Sequence, residues 1–193
     1  MRNQMKYVFC LILLSGIPFI CKPQDTTPMT QKPPDQIQSR DTLHIGKYFA
    51  GGIIYYIDGT GRHGLIVSAN DLPEKMPFGC PDREVFANSL SDGTVNTILI
   101  NKYCGTETAA DRCSRYDAEG YKDWYLPSID ELALLFKSQL PPGLFTGDIY
   151  WSSTECRDCR RKFVSWVLDF KNAGERVTMY KEKKAHVRAI RKF

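Results

Sequence analysis

Asp123-Trp124-Tyr125-Leu126-Pro127-Ser128-Ile129-Asp130-Glu131-Leu132 is the stretch on which the fold turns. Ser128 has a side chain suited to an N-cap, and Glu131, three residues on, completes a capping box. Pro127 precedes the cap, and Leu132, Leu135 and Phe136 form an apolar stripe at helical spacing. A helix therefore starts after Ser128, and Pro141-Pro142-Gly143 stops it. Two shorter helices are expected upstream, over 95–103 with Ile98, Leu99 and Tyr103 on one face, and over 107–116 with Ala109, Ala110 and Cys113.

Strand patterns flank this helical middle. Ile53 to Ile57 is a β-branched and aromatic run, Asp58-Gly59-Thr60-Gly61 supplies turn chemistry, and Leu65-Ile66-Val67 reads as the return strand. After the helices, strands are expected over 149–154, 163–171, 175–180 and 186–191, with Asn172-Ala173-Gly174 as a turn. Strands, then helices, then strands is an α+β order with antiparallel sheets and about three short helices. Hydrophobic content of 42% and aromatic content of 12% suffice for one packed domain in a chain of 193 residues.

The N-terminus reads differently. Arg2 and Lys6 precede an apolar run over 7–20, the layout of an export signal and too short for a membrane helix. Residues 1–21 are thus expected to be a signal peptide. Cys21 follows the apolar run directly, where a bacterial lipoprotein would be acylated, although Ile20 is bulkier than that cleavage prefers. Cleavage nearby without lipid is the alternative. Residues 22–43, with Pro23, Pro28, Pro33 and Pro34, read as a tether. The folded domain is expected over 44–193.

With those blocks in view, the chain resembles the Lcl C-terminal domain family, formerly a domain of unknown function, which includes the C-terminal domain of the Legionella collagen-like adhesin. The blocks that carry the resemblance are Gly51-Gly52-Ile53-Ile54-Tyr55-Tyr56, Asp123-Trp124-Tyr125-Leu126-Pro127-Ser128, Tyr150-Trp151-Ser152-Ser153-Thr154-Glu155, Trp166 and Val187-Arg188-Ala189-Ile190-Arg191. The resemblance implies a C-type-lectin-like architecture and a place on bacterial surfaces. For the adhesin member it implies binding of sulfated glycosaminoglycans. No collagen-like repeat precedes the domain in this sequence, so a trimer driven by such a stalk is not implied.

The charge pattern points the same way. From residue 155 onward the chain carries twelve Lys or Arg against five Asp or Glu, although the whole chain is only +4. Arg160, Arg161, Lys162, Lys181, Lys183, Lys184 and Arg191 are the candidate ligand-binding residues, since Arg and Lys suit sulfates and acidic sugars. The bland alternative is a solvated basic face with no ligand. Trp124, Ser128, Glu131, Trp151, Trp166 and Arg188 are candidate structural residues, with Arg188 paired to Glu131 or Asp123. An exposed Trp124-Tyr125 pair stacking on a sugar is the functional alternative for that block.

Seven cysteines in an exported chain suggest disulfides. Cys156-Arg157-Asp158-Cys159 is read as a loop disulfide, and Cys104–Cys113 as a second pair. Redox use of Cys156 and Cys159 is the rival reading, but a working thiol of that kind sits at a helix N-terminus. His44, His63 and His186 lie in no nucleophile motif, and the phosphate-binding and dinucleotide fingerprints are missing. The expectation is therefore an exported, surface-associated binding module rather than an enzyme. No cofactor, metal or nucleic-acid partner is expected, and membrane contact only through a lipid on Cys21. The alternatives are a thiol oxidoreductase and a structural component of the cell envelope or a fimbria.

Overall fold

The β-branched run of 53–57 has the composition of a buried strand, and a computed structural model places it in one. The structure describes residues 42–138, 140–141, 143–145 and 148–193. The expected signal at 1–21, Cys21 and most of the tether lie outside the described residues. Strands β1 (Tyr48–Phe49), β2 (Gly52–Ile57) and β3 (Gly64–Ser68) run antiparallel, with a bulge between Ile54 and Tyr56. Gly52 is required by close approach: a Cβ there would lie 2.3 Å from the Val67 carbonyl oxygen and 3.0 Å from the Trp124 ring.

Strand β4 (Met76–Pro77) precedes three helices, α1 (Gly93–Cys104), α2 (Ala109–Ser114) and α3 (Ile129–Lys137). Helix α3 carries the expected reciprocal capping box between Ser128 and Glu131. Helix α1 turns a different face inward from the one expected. Ile98 is 61% exposed and Tyr103 is exposed, while Asn96, Thr97 and Ile100 are buried. The polar pair is satisfied there: Asn96 accepts the Ser89 N–H and donates to the Ser89 carbonyl, and the Thr97 hydroxyl accepts the Leu126 N–H at 3.0 Å. Those bonds seat α1 on neighbouring loops, and apolar periodicity does not register them.

Strands β5 (Ile149–Glu155), β6 (Val164–Asp169) and β7 (Glu175–Tyr180) form a three-stranded antiparallel sheet. Of the last expected strand, 186–191, only the end is strand, in β9 (Ile190–Lys192), paired with β3; β8 (Lys184–Ala185), paired with β4, lies just before it. Between them the backbone changes partner several times. His186 bridges β5, Val187 accepts from Leu72, and Ala189 accepts from Ser68. Tyr125 and Ile190 exchange both backbone bonds, at 2.9 and 3.0 Å. The C-terminal segment thus sews the sheets together and holds the stretch at 123–128 in place. Mixed antiparallel sheets and helices make the fold α+β, as expected. No helix among the described residues is long and apolar enough to cross a membrane.

One disulfide differs from expectation. Cys104 pairs with Cys80, not with Cys113. Cys113 faces the core, unpaired and fully buried, and burial pushes its thiol pKa well up. Cys104 ends α1 on the side where the loop at 79–80 approaches, and a Cβ on Gly79 would lie 3.0 Å from that of Cys104. The bridge closes a sequence separation of 24 residues. Replacing both cysteines with serine is expected to cost about 3 kcal/mol. Scanning calorimetry should then record a Tm lower by roughly 6–12 °C for a domain of this size. An unchanged Tm would mean that the bridge does not form in solution.

Candidate functional site

The antiparallel register of β5, β6 and β7 sends the β5–β6 loop and the turn after β7 to the same end of that sheet. Val164 pairs with Tyr180, Lys181 donates its N–H to the Phe163 carbonyl, and Lys183 closes the turn on Tyr180. Cys156 and Cys159 form a disulfide within the first half of the loop. Cys156 follows a strand and has no helix N-terminus to lower a thiol pKa.

Arg157, Arg160, Arg161 and Lys162 are exposed on the loop, Lys183 on the turn and Lys184 at the start of β8. Asp158 and Glu182 are the acids interspersed with them. None of the six cations has a carboxylate within ion-pairing distance among the described residues. Beside the loop lies a cleft of about 340 Å³ whose walls include Asn88, Leu90, Arg157, Asp158 and the half-buried Trp166.

Two residues expected on this surface are elsewhere. Lys181 is completely buried. Its ammonium meets Glu155 and the Arg83 carbonyl, and it lies 5.4 Å from the centre of the Phe78 ring. The Glu155 carboxylate also accepts the N–H groups of Val85 and Ala87. A buried carboxylate needs a cation, and Lys181 is that cation rather than a ligand group. Arg191 is also buried. It binds Asp123 through two nitrogens at 2.7 and 2.9 Å and lies 4.2 Å from the centre of the Tyr121 ring. The hydrogen bond from Arg191 is the chief reason Asp123 has a pKa below the usual carboxylate range.

Arg188 is structural, but with different partners from those expected. It pairs with Asp71 at 2.5 Å, donates to the carbonyls of Ser68 and Leu144, and covers the Phe145 ring. Glu131 is engaged by Gly93, Ser128 and Tyr125 instead. Trp124 is 2% exposed, bonds the Tyr121 carbonyl and packs edge-on to Tyr116, so it offers no face to a sugar. Trp151 is buried against Phe78 and bonds the Met76 carbonyl. Sequence reasoning missed Glu155 as the partner of Lys181. The one available signal was a carboxylate closing an otherwise uncharged strand.

A comparison with curated proteins returns no match. The family model described as the Lcl C-terminal domain matches residues 83–191, more than half of the chain. The match takes in all three helices, the three-stranded sheet and the cationic loops, and the β2–β3 hairpin precedes it. The chain belongs to the Lcl C-terminal domain family.

Proposed function

We propose that this protein is an exported, non-catalytic binding module that holds an acidic or sulfated glycan on the cationic loops at the end of the β5–β6–β7 sheet. Membership of the Lcl C-terminal domain family supports an adhesin-associated role. The observation that carries the ligand class is the grouping of six exposed, unpaired cations on the β5–β6 loop, the turn after β7 and the first residue of β8. The Cys156–Cys159 disulfide fixes the part of the loop that carries Arg157 and leads directly into Arg160, Arg161 and Lys162, so less conformational entropy is lost there when a polyanion arrives. Trp166, in the adjoining cleft, provides an aromatic wall for a sugar ring. The apolar run at 7–20 supports export.

Heparin-agarose chromatography tests this reading. The protein is expected to bind at about 0.1 M salt and to elute as rising salt screens the charges. The triple variant Arg160→Ala/Arg161→Ala/Lys162→Ala should elute at clearly lower salt, whereas Lys122→Ala, an exposed cation elsewhere, should elute with the wild type. Passage of the wild type through the column at that salt, or identical elution of the triple variant, would reject the proposal.

A further inference from the structure

A second concavity lies between the β2–β3 hairpin, α3 and the C-terminus. Its volume is about 570 Å³, within the range of small-molecule sites. Tyr56, Leu65, Leu134 and Phe193 form its apolar walls. Tyr56 is 37% exposed, a large ring left partly in water.

The polar groups in this groove are mixed in kind. Asp58 uses one carboxylate oxygen for both the N–H and the hydroxyl of Thr60, and His63 also acts on this carboxylate through its backbone N–H. Asp130 gives one oxygen to Arg176 at 2.6 Å. Ser91 and His63 can each donate and accept, and Lys192 only donates, holding Asp92 at 3.5 Å. Glu131 is already occupied by its three donors.

This set discriminates between ligand classes. The carboxylates of Asp58, Asp130 and Glu131 disfavour an anion, which separates the groove from the cationic loops. Lys192 disfavours a simple cation. A ligand whose groups both donate and accept, and which has an apolar face for Tyr56, suits the whole set, and a sugar has both properties.

A neighbouring pocket of about 380 Å³ shares Tyr56 and Leu134 as walls and adds Tyr55. The Tyr55 hydroxyl is buried with no hydrogen-bond partner. Burial and the nearby Glu131 both push its pKa well up, so it stays protonated as a donor. An orphaned buried hydroxyl is uncommon in folded proteins, and this one lies behind the neighbouring pocket rather than in the groove itself.

We infer that the groove between the β2–β3 hairpin and α3 binds an uncharged saccharide of about disaccharide size, at a site separate from the cationic loops. Saturation-transfer and amide-shift NMR on the protein, with maltose, cellobiose, lactose and N,N′-diacetylchitobiose as probes at about 5 mM, tests it. At least one sugar is expected to show transfer and to shift the amides of Leu65, Ser91, Leu134 and Lys192. Tyr56→Ala should weaken that sugar about tenfold through loss of the aromatic face. Lys192→Ala should weaken it too, and both variants should keep wild-type heparin retention. The triple loop variant should bind the sugar as the wild type does, so the two sites fail or succeed separately. No transfer from any of these sugars would overturn the inference. So would shifts confined to residues 156–163, undiminished binding by Tyr56→Ala, or shifts produced only by a lysine-rich peptide.

Discussion

Lys181→Met is expected to cost about 3–5 kcal/mol of stability, the usual penalty for removing one partner of a buried ion pair. The residue is 0% exposed, and its ammonium is the cation that faces the buried Glu155. Methionine fills similar space but leaves the carboxylate uncompensated and the Arg83 carbonyl without its donor. For a domain of this size that corresponds to a fall in Tm of roughly 6–20 °C, read by circular dichroism or calorimetry. The paired change Glu155→Gln/Lys181→Met should recover part of the loss. Glutamine removes the charge and keeps an acceptor for the N–H groups of Val85 and Ala87. Heparin retention of folded Lys181→Met should match the wild type, because the side chain is not on the surface. Wild-type stability combined with lost retention would show that Lys181 is a surface cation and that the ion pair is wrong.

Glu131→Ala is the second large effect, expected at about 3–5 kcal/mol from several buried groups losing their acceptor together. One Glu131 oxygen accepts the N–H groups of Gly93 and Ser128, at 3.0 and 2.8 Å. The other accepts the Tyr125 hydroxyl at 2.9 Å. The carboxylate thus joins the start of α1, the cap of α3 and the segment at 123–128. Gly93 shows how close this packing is: a Cβ there would lie 2.7 Å from Glu131 and 2.4 Å from the Leu126 carbonyl oxygen. Tyr125 has its pKa raised far beyond the ordinary range, first by burial and then by Glu131, so it remains the donor at every accessible pH. Glu131→Gln should fall between wild type and Glu131→Ala, since its carbonyl oxygen can accept from only part of the donor set. Urea unfolding measures both, and a loss below about 1 kcal/mol for Glu131→Ala would reduce this residue to an ordinary capping box.

These two residues show where sequence reading worked and where it stopped. Glu131 was legible because a capping box is local: Ser128 and Glu131 lie within one helical turn, and their spacing carries the information. Its bond to Gly93 was not, because Gly93 is 38 residues away, and its bond to Tyr125 crosses a segment with no regular spacing. Arg188 was read as structural and Arg191 as a ligand group. Both turned out to be buried, with Asp71 and Asp123 as partners separated from them by 117 and 68 residues. Nothing within a few residues of an arginine says whether a distant carboxylate will meet it. The Cys104 pairing failed for the same reason. Adjacent helices suggested Cys113, but the loop at 79–80 reaches Cys104 first.

By itself, the sequence determined what depends on short-range chemistry: the α+β order of elements, the α3 cap, the hairpin turn at 58–61, the Cys156–Cys159 bridge and family membership. Tertiary structure alone decided which cations are exposed. Strand periodicity is symmetric between a lysine that reaches water and one that turns inward, and only the buried charge of Glu155 breaks that symmetry for Lys181. The groove beside α3 is likewise a product of packing, since its walls come from four separate parts of the chain whose juxtaposition no local pattern encodes.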